Sequence, residues 1–171
     1  CRIAAESILP KSAGIRSAFS CLNIARYGIS WGVVGVAMDC YETALNDTKE
    51  RIQFKAPIAS YQLVQEKLVK MLIEITKGQL LSYRLGRLMD EGKARPPQIS
   101  MAKKNNVAMA RGCAMTAREL LGANGISLDY SPIRHMANLE SVYTYEGTDD
   151  MHTLILGHDI TGFSAFESKR I

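Results

Sequence analysis

Residues 27–45 read YGISWGVVGVAMDCYETAL, and this stretch decides the fold class. Large apolar side chains recur in it at alternating intervals of four and three residues, which is the spacing of one face of an α-helix. The stripe consists of Tyr27, Trp31, Val34, Met38, Tyr41 and Leu45. Beside it lie Gly28, Gly32 and Gly35, and each glycine costs a helix about 1 kcal/mol relative to alanine. We therefore expect another backbone or a bulky ligand to approach this side of the helix closely.

Helical spacing continues outward from this stretch almost to the end of the chain. The connection 51–57, RIQFKAP, interrupts it because Pro57 disfavours the helical conformation at Ala56. The predicted helices start near Phe19 and then cover residues 59–90, 98–121, 134–141 and 148 to about 166. The sequence thus predicts an all-α protein, an antiparallel up-and-down four-helix bundle with one short extra helix.

The second predicted helix has more apolar surface than one bundle core can bury. Two adjacent faces are apolar, the first with Val64, Leu68, Leu72 and Ile75 and the second with Val69, Ile73 and Leu80. Exposed apolar patches of this kind are typical of interfaces. We therefore expect the bundle to self-associate, with its second and third helices at or near the interface.

Residues 1–15 differ from the rest of the chain. The segment ILPKSAG at 8–14 is typical of a strand end followed by a turn-rich linker. We therefore separate residues 1–15 from a helical domain over residues 16–171. The first residue is Cys1 rather than methionine, so we expect the chain to be part of a longer protein.

Composition argues against several functional classes. Of 171 residues, 47% are hydrophobic and 22% charged, as in ordinary globular proteins, and the formal net charge is +4. That small, scattered excess argues against nucleic-acid binding, and no apolar run approaches the roughly 18–20 residues of a membrane span. The four cysteines lack metal-ligand spacing, which argues against a zinc site. Cys40 and Cys113 fall in apolar helical patterns, so we expect them to be buried thiols in a reducing compartment.

One carboxylate stands out as a candidate for chemistry. Glu146 lies in VYTYEGT at 142–148, between aromatic residues and a glycine, where two predicted helices are interrupted. An apolar, aromatic wall disfavours the charged form of a carboxylate, which suits a general base. Gly147 would let a ligand approach the backbone closely. The alternative is a glutamate at a helix end that accepts hydrogen bonds from neighbouring amides.

Two further constellations could bind a ligand. Arg51, Phe54 and Gln62 combine a cation, an aromatic ring and an amide near the start of the second helix, and could hold a phosphate and a flat ring. The strip ELLGANG at 119–125 ends the third helix in small residues, where a cofactor could meet the backbone. The same strip serves equally well as a plain helix C-cap. The three histidines are dispersed, so a three-histidine metal site is not expected.

Several motifs together resemble those of the acyl-CoA dehydrogenases. In chain order they are CLNIARYGISWG at 21–32, RIQF at 51–54 with Pro57 and Gln62, LGANGI at 121–126, and YEGT at 145–148. The similarity covers essentially the whole chain but only part of such an enzyme. Members of this family carry an N-terminal helical domain and a middle β-domain before a helical bundle. Residues 1–15 resemble the tail of that β-domain.

The resemblance implies a catalytic role for Glu146. This residue matches the base that removes the α-proton of an acyl thioester, and its backbone N–H matches a donor to the thioester carbonyl. The β-hydrogen leaves as hydride to FAD, and an electron-transfer flavoprotein then accepts the electrons. The local matches favour the branch of the family that also releases carbon dioxide from a dicarboxylic acyl thioester. The alternatives are a non-decarboxylating relative and a helical module that only self-associates.

The resemblance also implies which residues line the cofactor and the substrate. Positions that match contacts with the FAD of a neighbouring subunit are Arg51, Phe54, Gln62, Glu119, Leu120, Leu121, Gly122 and Ala123. Positions that match contacts with the subunit's own FAD are Thr148 and Asp150. Positions that match the acyl-CoA wall are Phe19, Ser20, Cys21, Leu22, Asn23, Ile24, Ala25, Arg26, Tyr145 and Gly147. Such enzymes are commonly homotetramers of the bacterial cytoplasm or the mitochondrial matrix, with the C-terminal bundles at the centre.

Overall fold

The computed structural model describes residues 2–12 and 14–165 and shows the predicted all-α fold. Its helices are α1 (Ile15–Glu50), α2 (Gln62–Asp90), α3 (Pro96–Leu120), α4 (Ser131–Thr144) and α5 (Asp149–Thr161). Two short strands, β1 (Ile52–Gln53) and β2 (Ala56–Pro57), form an antiparallel hairpin between α1 and α2, with Ile52 opposite Pro57. Within the described ranges, none of the helices has the length and apolar character needed to cross a membrane.

Helix α3 lies at the centre of the bundle because it packs against all four other helices. Small residues make up much of its contact with α1, and small side chains let two helix backbones approach closely. They are Ala110, Ala114 and Ala117 on α3, and Ala37, Cys40 and Ala44 on α1, all members of one buried cluster. Cys40 and Cys113 are both buried, as predicted. Burial raises the pKa of Cys40 to about 12 and that of Cys113 to about 11, so both thiols stay protonated.

A buried polar cluster joins the three longest helices. The side-chain amide of Asn106 donates to the carbonyls of Ser30 and Gly78, at 2.9 and 3.1 Å. It also lies 2.8 Å from the hydroxyl of Ser82. All four residues are buried, so these hydrogen bonds offset the cost of taking the polar groups out of water. The cluster stabilises one register of α1, α2 and α3.

Several helix ends differ from the predicted ones. Helix α1 begins at Ile15 rather than near Phe19, directly after Gly14. Helix α3 begins at Pro96, because proline lacks the N–H that the first turn of a helix leaves unsatisfied. Helix α4 has 14 residues and extends the predicted 134–141 at both ends. Helix α5 ends at Thr161 because Gly162 adopts a left-handed conformation with φ 75°. Residue 166, the predicted end, lies outside the described residues.

The strand end expected near residue 8 is not formed in the described part of the N-terminal segment. Ala5–Ser7 is a single 3-10 turn, and the Ser12 N–H donates to the Leu9 carbonyl at 3.1 Å in a second turn. A strand needs backbone hydrogen bonds from a neighbouring strand, and no described residue supplies them to residues 2–12. The assignment of residues 1–15 to a preceding domain stays a prediction.

The buried face of α1 is displaced from the predicted stripe. Val34 is buried, but Trp31 is 38% and Met38 40% exposed. The residues of α1 that are buried are Ser30, Val33, Val34, Ala37, Cys40, Ala44 and Thr48. Apart from Val34, which belongs to both sets, they are smaller than the stripe residues, because α1 packs closely on the alanine-rich face of α3.

The close approach expected at the α1 glycines is not found within the described chain. A Cβ added to Gly28, Gly32 or Gly35 would have no described atom within 4 Å, apart from its own helix and chain neighbours. All three residues are exposed. Within the described chain this side of α1 is an open surface, and approach by a ligand or by the backbone of a second molecule stays a prediction.

Helix α2 exposes the surplus apolar residues that its sequence indicates. Val69, Leu72, Ile73 and Leu80 are each about half exposed or more, at 56%, 49%, 51% and 63%. The residues that α2 buries are Leu68, Met71, Ile75, Gly78, Ser82 and Leu85. One face of α2 thus joins the core, and a second apolar face stays uncovered in the described chain.

Candidate functional site

The loop between α4 and α5 carries Glu146 in a strained backbone conformation. Glu146 has φ 57° and Gly147 has φ 94°, so two successive residues lie in the region that favours glycine. Thr148 then caps α5, and its hydroxyl accepts a hydrogen bond from the Met151 N–H at 3.3 Å. A non-glycine residue in this region costs about 1–2 kcal/mol, so the surroundings must hold Glu146 in place.

Two cationic side chains hold the three successive carbonyls of this loop. Arg26 Nε of α1 donates to the Glu146 carbonyl at 2.7 Å. Lys103 Nζ of α3 donates to the carbonyls of Tyr145 and Gly147, at 3.1 and 2.9 Å. The loop is therefore fastened from two helices, and both hold the backbone while leaving the Glu146 side chain out of the contact.

The space beneath Gly147 is filled by a buried histidine. A Cβ added at Gly147 would lie 3.1 Å from His152 Nε2 and 3.2 Å from Arg26 Nη2. Burial first, and then the positive charges of Lys103 and Arg26, together lower the pKa of His152 to about 4. The Glu146 main chain acts in the opposite direction, yet neither ring nitrogen completes a normal hydrogen bond to a described residue. His152 is consequently neutral near pH 7.

The Glu146 carboxylate is half-buried and only partly satisfied. Its Oε2 atom is inaccessible to solvent and has no hydrogen-bond partner among the described residues. No hydrogen bond to a described residue would have to break before this oxygen turned toward a ligand and accepted a proton. The alternative interpretation, a glutamate that caps a helix end, does not describe it, because Thr148 caps α5.

The structure brings part of the predicted substrate wall to this loop. Arg26 reaches Glu146 directly, and Tyr145 and Gly147 flank it. Residues 19–26 form about the second and third turns of α1, and Phe19 among them is 49% exposed. Thr148 and Asp150 lie exposed at the start of α5 beside the same loop. Arg26 of α1, the α4–α5 loop and the start of α5 thus lie together at Glu146.

The other predicted cofactor residues gather in a second cluster. Arg51 Nη1 donates to the Leu121 carbonyl at 3.3 Å and lies beside Gly122, so the end of α1 meets the strip at 119–123. Within this strip, Glu119 forms an exposed ion pair with Lys67 at 3.0 Å. Gln62 is exposed at the start of α2.

Phe54 is the most exposed large hydrophobic residue of this second cluster. Its ring is 90% exposed, and its backbone is left-handed with φ 52°. The ring makes only an edge contact with Tyr61, with 6.5 Å between the ring centres. An exposed aromatic ring on a strained backbone is stabilised little by contacts within this chain. Such a ring is suited to contact a ligand or a second molecule.

The two clusters lie at opposite ends of α1. Arg26 and Arg51 are separated by 25 residues of essentially continuous helix, or about 37 Å at about 1.5 Å per residue. Residues of one chain at this separation do not line the same small pocket. The two predicted sets of cofactor contacts are therefore two distinct surfaces.

Sequence reasoning missed Lys103 and His152. Both are buried within the Glu146 site, at 1% and 0% exposure. Lys103 begins the polar run KKNN at 103–106 inside an apolar helix, and such a run normally indicates a solvated face. Its neighbour Lys104 forms an ion pair with Asp149 at the start of α5. Across the described ranges, no group of three or more histidine, cysteine or acidic side chains could hold a metal ion.

The chain belongs to the acyl-CoA dehydrogenase family. The model of the acyl-CoA dehydrogenase C-terminal domain matches residues 12–161. The chain is 31% identical to a glutaryl-CoA dehydrogenase of Desulfococcus multivorans over 94% of its length, and 30% identical to a human mitochondrial short-chain specific acyl-CoA dehydrogenase over 92%. A glutaryl-CoA dehydrogenase from Mycobacterium smegmatis, solved in complex with FADH2, superposes with a TM-score of 0.90 at 49% identity over 92% of the chain. The chain spans only 42%, 39% and 41% of these three relatives.

Proposed function

We propose that this chain is the C-terminal bundle of an FAD-dependent acyl-CoA dehydrogenase and that Glu146 is its catalytic base. The observation that carries the proposal is the left-handed Glu146–Gly147 turn, which Arg26 and Lys103 hold while one carboxylate oxygen has no partner among the described residues. This arrangement fixes the backbone and leaves the side chain available, as a proton acceptor requires. The family match supports the proposal because it covers the whole loop.

The described residues fit an acyl thioester beside Glu146. Removal of the α-proton leaves negative charge on the thioester oxygen, and a backbone N–H aimed at that oxygen stabilises it. The carbonyls of the turn already accept hydrogen bonds from Arg26 and Lys103. The Glu146 N–H is the backbone group available for this role. Phe19 to Arg26, with Tyr145 and Gly147, form the wall along which the acyl chain and its coenzyme A lie.

The residues that would hold FAD fall into the two clusters described above. Thr148 and Asp150 supply exposed polar groups next to Glu146, where a flavin ring could hydrogen-bond. Arg51 and Phe54 offer a cation and an exposed ring to a phosphate and an aromatic system. When bound, FAD supplies the acceptor for the substrate's β-hydride, and an electron-transfer flavoprotein then takes the electrons.

The separation of the two clusters favours a flavin site shared between subunits. Arg51, Phe54, Gln62 and the strip at 119–123 would complete the FAD site of a second copy rather than the one beside Glu146. The uncovered apolar face of α2 gives such a copy a surface to bind. Closed twofold symmetry would make each contact occur twice, in a dimer or tetramer. Light scattering tests this: a monomer at tens of micromolar would refute self-association of the chain.

The proposed substrate is glutaryl-CoA, which would be dehydrogenated and decarboxylated to crotonyl-CoA. The similarity to two glutaryl-CoA dehydrogenases supports this choice over the short-chain relatives. The test incubates the full-length flavoprotein with glutaryl-CoA and an electron acceptor and identifies the products by mass spectrometry. Crotonyl-CoA is expected. Glutaconyl-CoA would instead assign a non-decarboxylating relative, and turnover of butyryl-CoA alone would assign a short-chain dehydrogenase.

A self-association module without activity is the second candidate function for the chain on its own. The uncovered apolar face of α2 favours it. FAD retained by the purified chain would count against this candidate.

A further inference from the structure

Lys103 is buried without a carboxylate partner. Its exposure is 1%, and within the described chain no acidic side chain lies at ion-pair distance from its Nζ. Buried lysines are rare and normally paired with an anion, since removing an ammonium group from water costs several kcal/mol. The partners of Lys103 are instead two neutral carbonyls, those of Tyr145 and Gly147. A helix-bundle core does not need a buried ammonium group bound to two carbonyls. The burial of Lys103 must therefore be explained by the loop that it holds.

The two carbonyls lie on either side of Glu146. Tyr145 and Gly147 are its immediate neighbours, so one ammonium group bridges the ends of the left-handed turn at 3.1 and 2.9 Å. Arg26 holds the carbonyl between them. Without the bridge, the turn would lose the contact that offsets its strain and could relax toward an ordinary backbone conformation.

We propose that Lys103 is a positioning residue, which holds the turn on both sides of Glu146 and thereby aims the Glu146 carboxylate at the substrate. The proposal rests on the proposed function, because it assumes that Glu146 is the base. Lys103 is 1% exposed and donates to two loop carbonyls, so it acts through the backbone of the loop.

The charges around Lys103 agree with this role. Burial lowers the pKa of Lys103, and the nearby guanidinium of Arg26 lowers it further, whereas the carboxylates of Asp149 and Glu146 raise it. His152 of α5 is neutral near pH 7, so it adds no charge to the cluster. Lys104, the next residue on α3, is paired with Asp149 and does not compete for the loop carbonyls. Glu146 and Lys103 thus attract each other without a direct contact that would block the carboxylate.

The test replaces Lys103 by methionine, which has a similar shape and no donor, in the full-length flavoprotein. A displacement of about 1 Å at a reacting group can cost about 10²-fold in rate, so we expect flavin reduction by glutaryl-CoA to slow about 10²-fold. FAD content should be unchanged and KM should change much less than kcat. Hydrogen–deuterium exchange of residues 145–149 should be faster than in the wild type, which reports the loosened turn independently of activity.

Asn106→Ala is the matched control. Asn106 is buried on the same helix about one turn away, and its removal breaks hydrogen bonds to α1 and α2 instead of the loop. A merely structural role for Lys103 predicts that both variants lose stability and keep the rate of flavin reduction. The proposed role predicts a normal rate and normal loop exchange for Asn106→Ala only.

A folded Lys103→Met enzyme with a near wild-type rate, or with unchanged exchange at 145–149, overturns the inference. If that variant does not fold, Lys103→Gln takes its place, and a crystal structure of the wild-type flavoprotein gives a second measurement. Lys103 Nζ turned away from the carbonyls of Tyr145 and Gly147 in that structure would also overturn it. A different result would refute the proposed function itself, namely a normal rate of flavin reduction in the Glu146→Gln variant.

Discussion

The buried imidazole of His152 should make the stability of the chain depend on pH. Its pKa falls from an ordinary 6.5 to about 4 in the folded chain, through burial and the charges of Lys103 and Arg26, which Asp149 only partly opposes. Between these values the unfolded chain binds the proton and the folded chain does not. The contribution of neutral His152 to the free energy of unfolding is therefore fully present above pH 6.5, and it is lost as the pH falls toward 4.

The expected size follows from that difference in pKa. A difference of about 2.5 pH units at about 1.4 kcal/mol per unit gives about 3 kcal/mol. Urea unfolding at a series of pH values from 7 to 4, followed by circular dichroism, measures it. His152→Gln should remove about 3 kcal/mol of the wild-type pH dependence, whereas His158→Gln, at an exposed position of the same helix, should keep it. Parallel pH profiles for wild type and His152→Gln would refute the reasoning.

Three further outcomes are expected. A thiol reagent at pH 8 should label Cys21 of the folded chain but not Cys40 or Cys113, because burial raises the pKa values of these two thiols. Mass spectrometry locates the label. Rapid labelling of Cys113 would contradict the described core. Gly35→Ala should raise the free energy of unfolding by up to about 1 kcal/mol, because nothing in the described chain occupies the space of the added Cβ. Urea unfolding measures the change. A loss of stability would show that another part of the molecule packs there. The purified 171-residue chain should carry little FAD, because the family resemblance predicts that a preceding β-domain supplies much of the flavin wall; a stoichiometric flavin spectrum would contradict this.

Helical periodicity was sufficient to predict the architecture but not the packing. The pattern in residues 27–45 correctly indicates a long helix, yet it selects Trp31 and Met38, which are 38% and 40% exposed, as part of the buried stripe. A buried face predicted from the spacing of apolar residues is determined mainly by the large side chains. Helix α1 instead packs on α3 through small residues such as Ala37 and Ala44. That preference depends on the alanine-rich face of α3, which lies far away in the sequence.

Local sequence features were enough to single out Glu146, whereas its role as a base came from the family resemblance. An aromatic wall, a following glycine and a capping threonine are all neighbours of Glu146 in the chain, and the structure places them as a turn and a helix start. Lys103 was not accessible in this way. Its burial results from the α4–α5 loop folding over α3, a contact across 42 residues that no local pattern encodes.

The most direct measurement of the central claim is the rate of flavin reduction by glutaryl-CoA in the full-length Glu146→Gln protein. Glutamine nearly matches glutamate in shape, so FAD content and ligand binding should be preserved. Loss of a positioned base should slow the single-turnover reduction, followed anaerobically by stopped-flow absorbance, by at least about 10²–10⁴-fold. A near wild-type rate in a folded, FAD-loaded Glu146→Gln protein would contradict the assignment of Glu146 as the base.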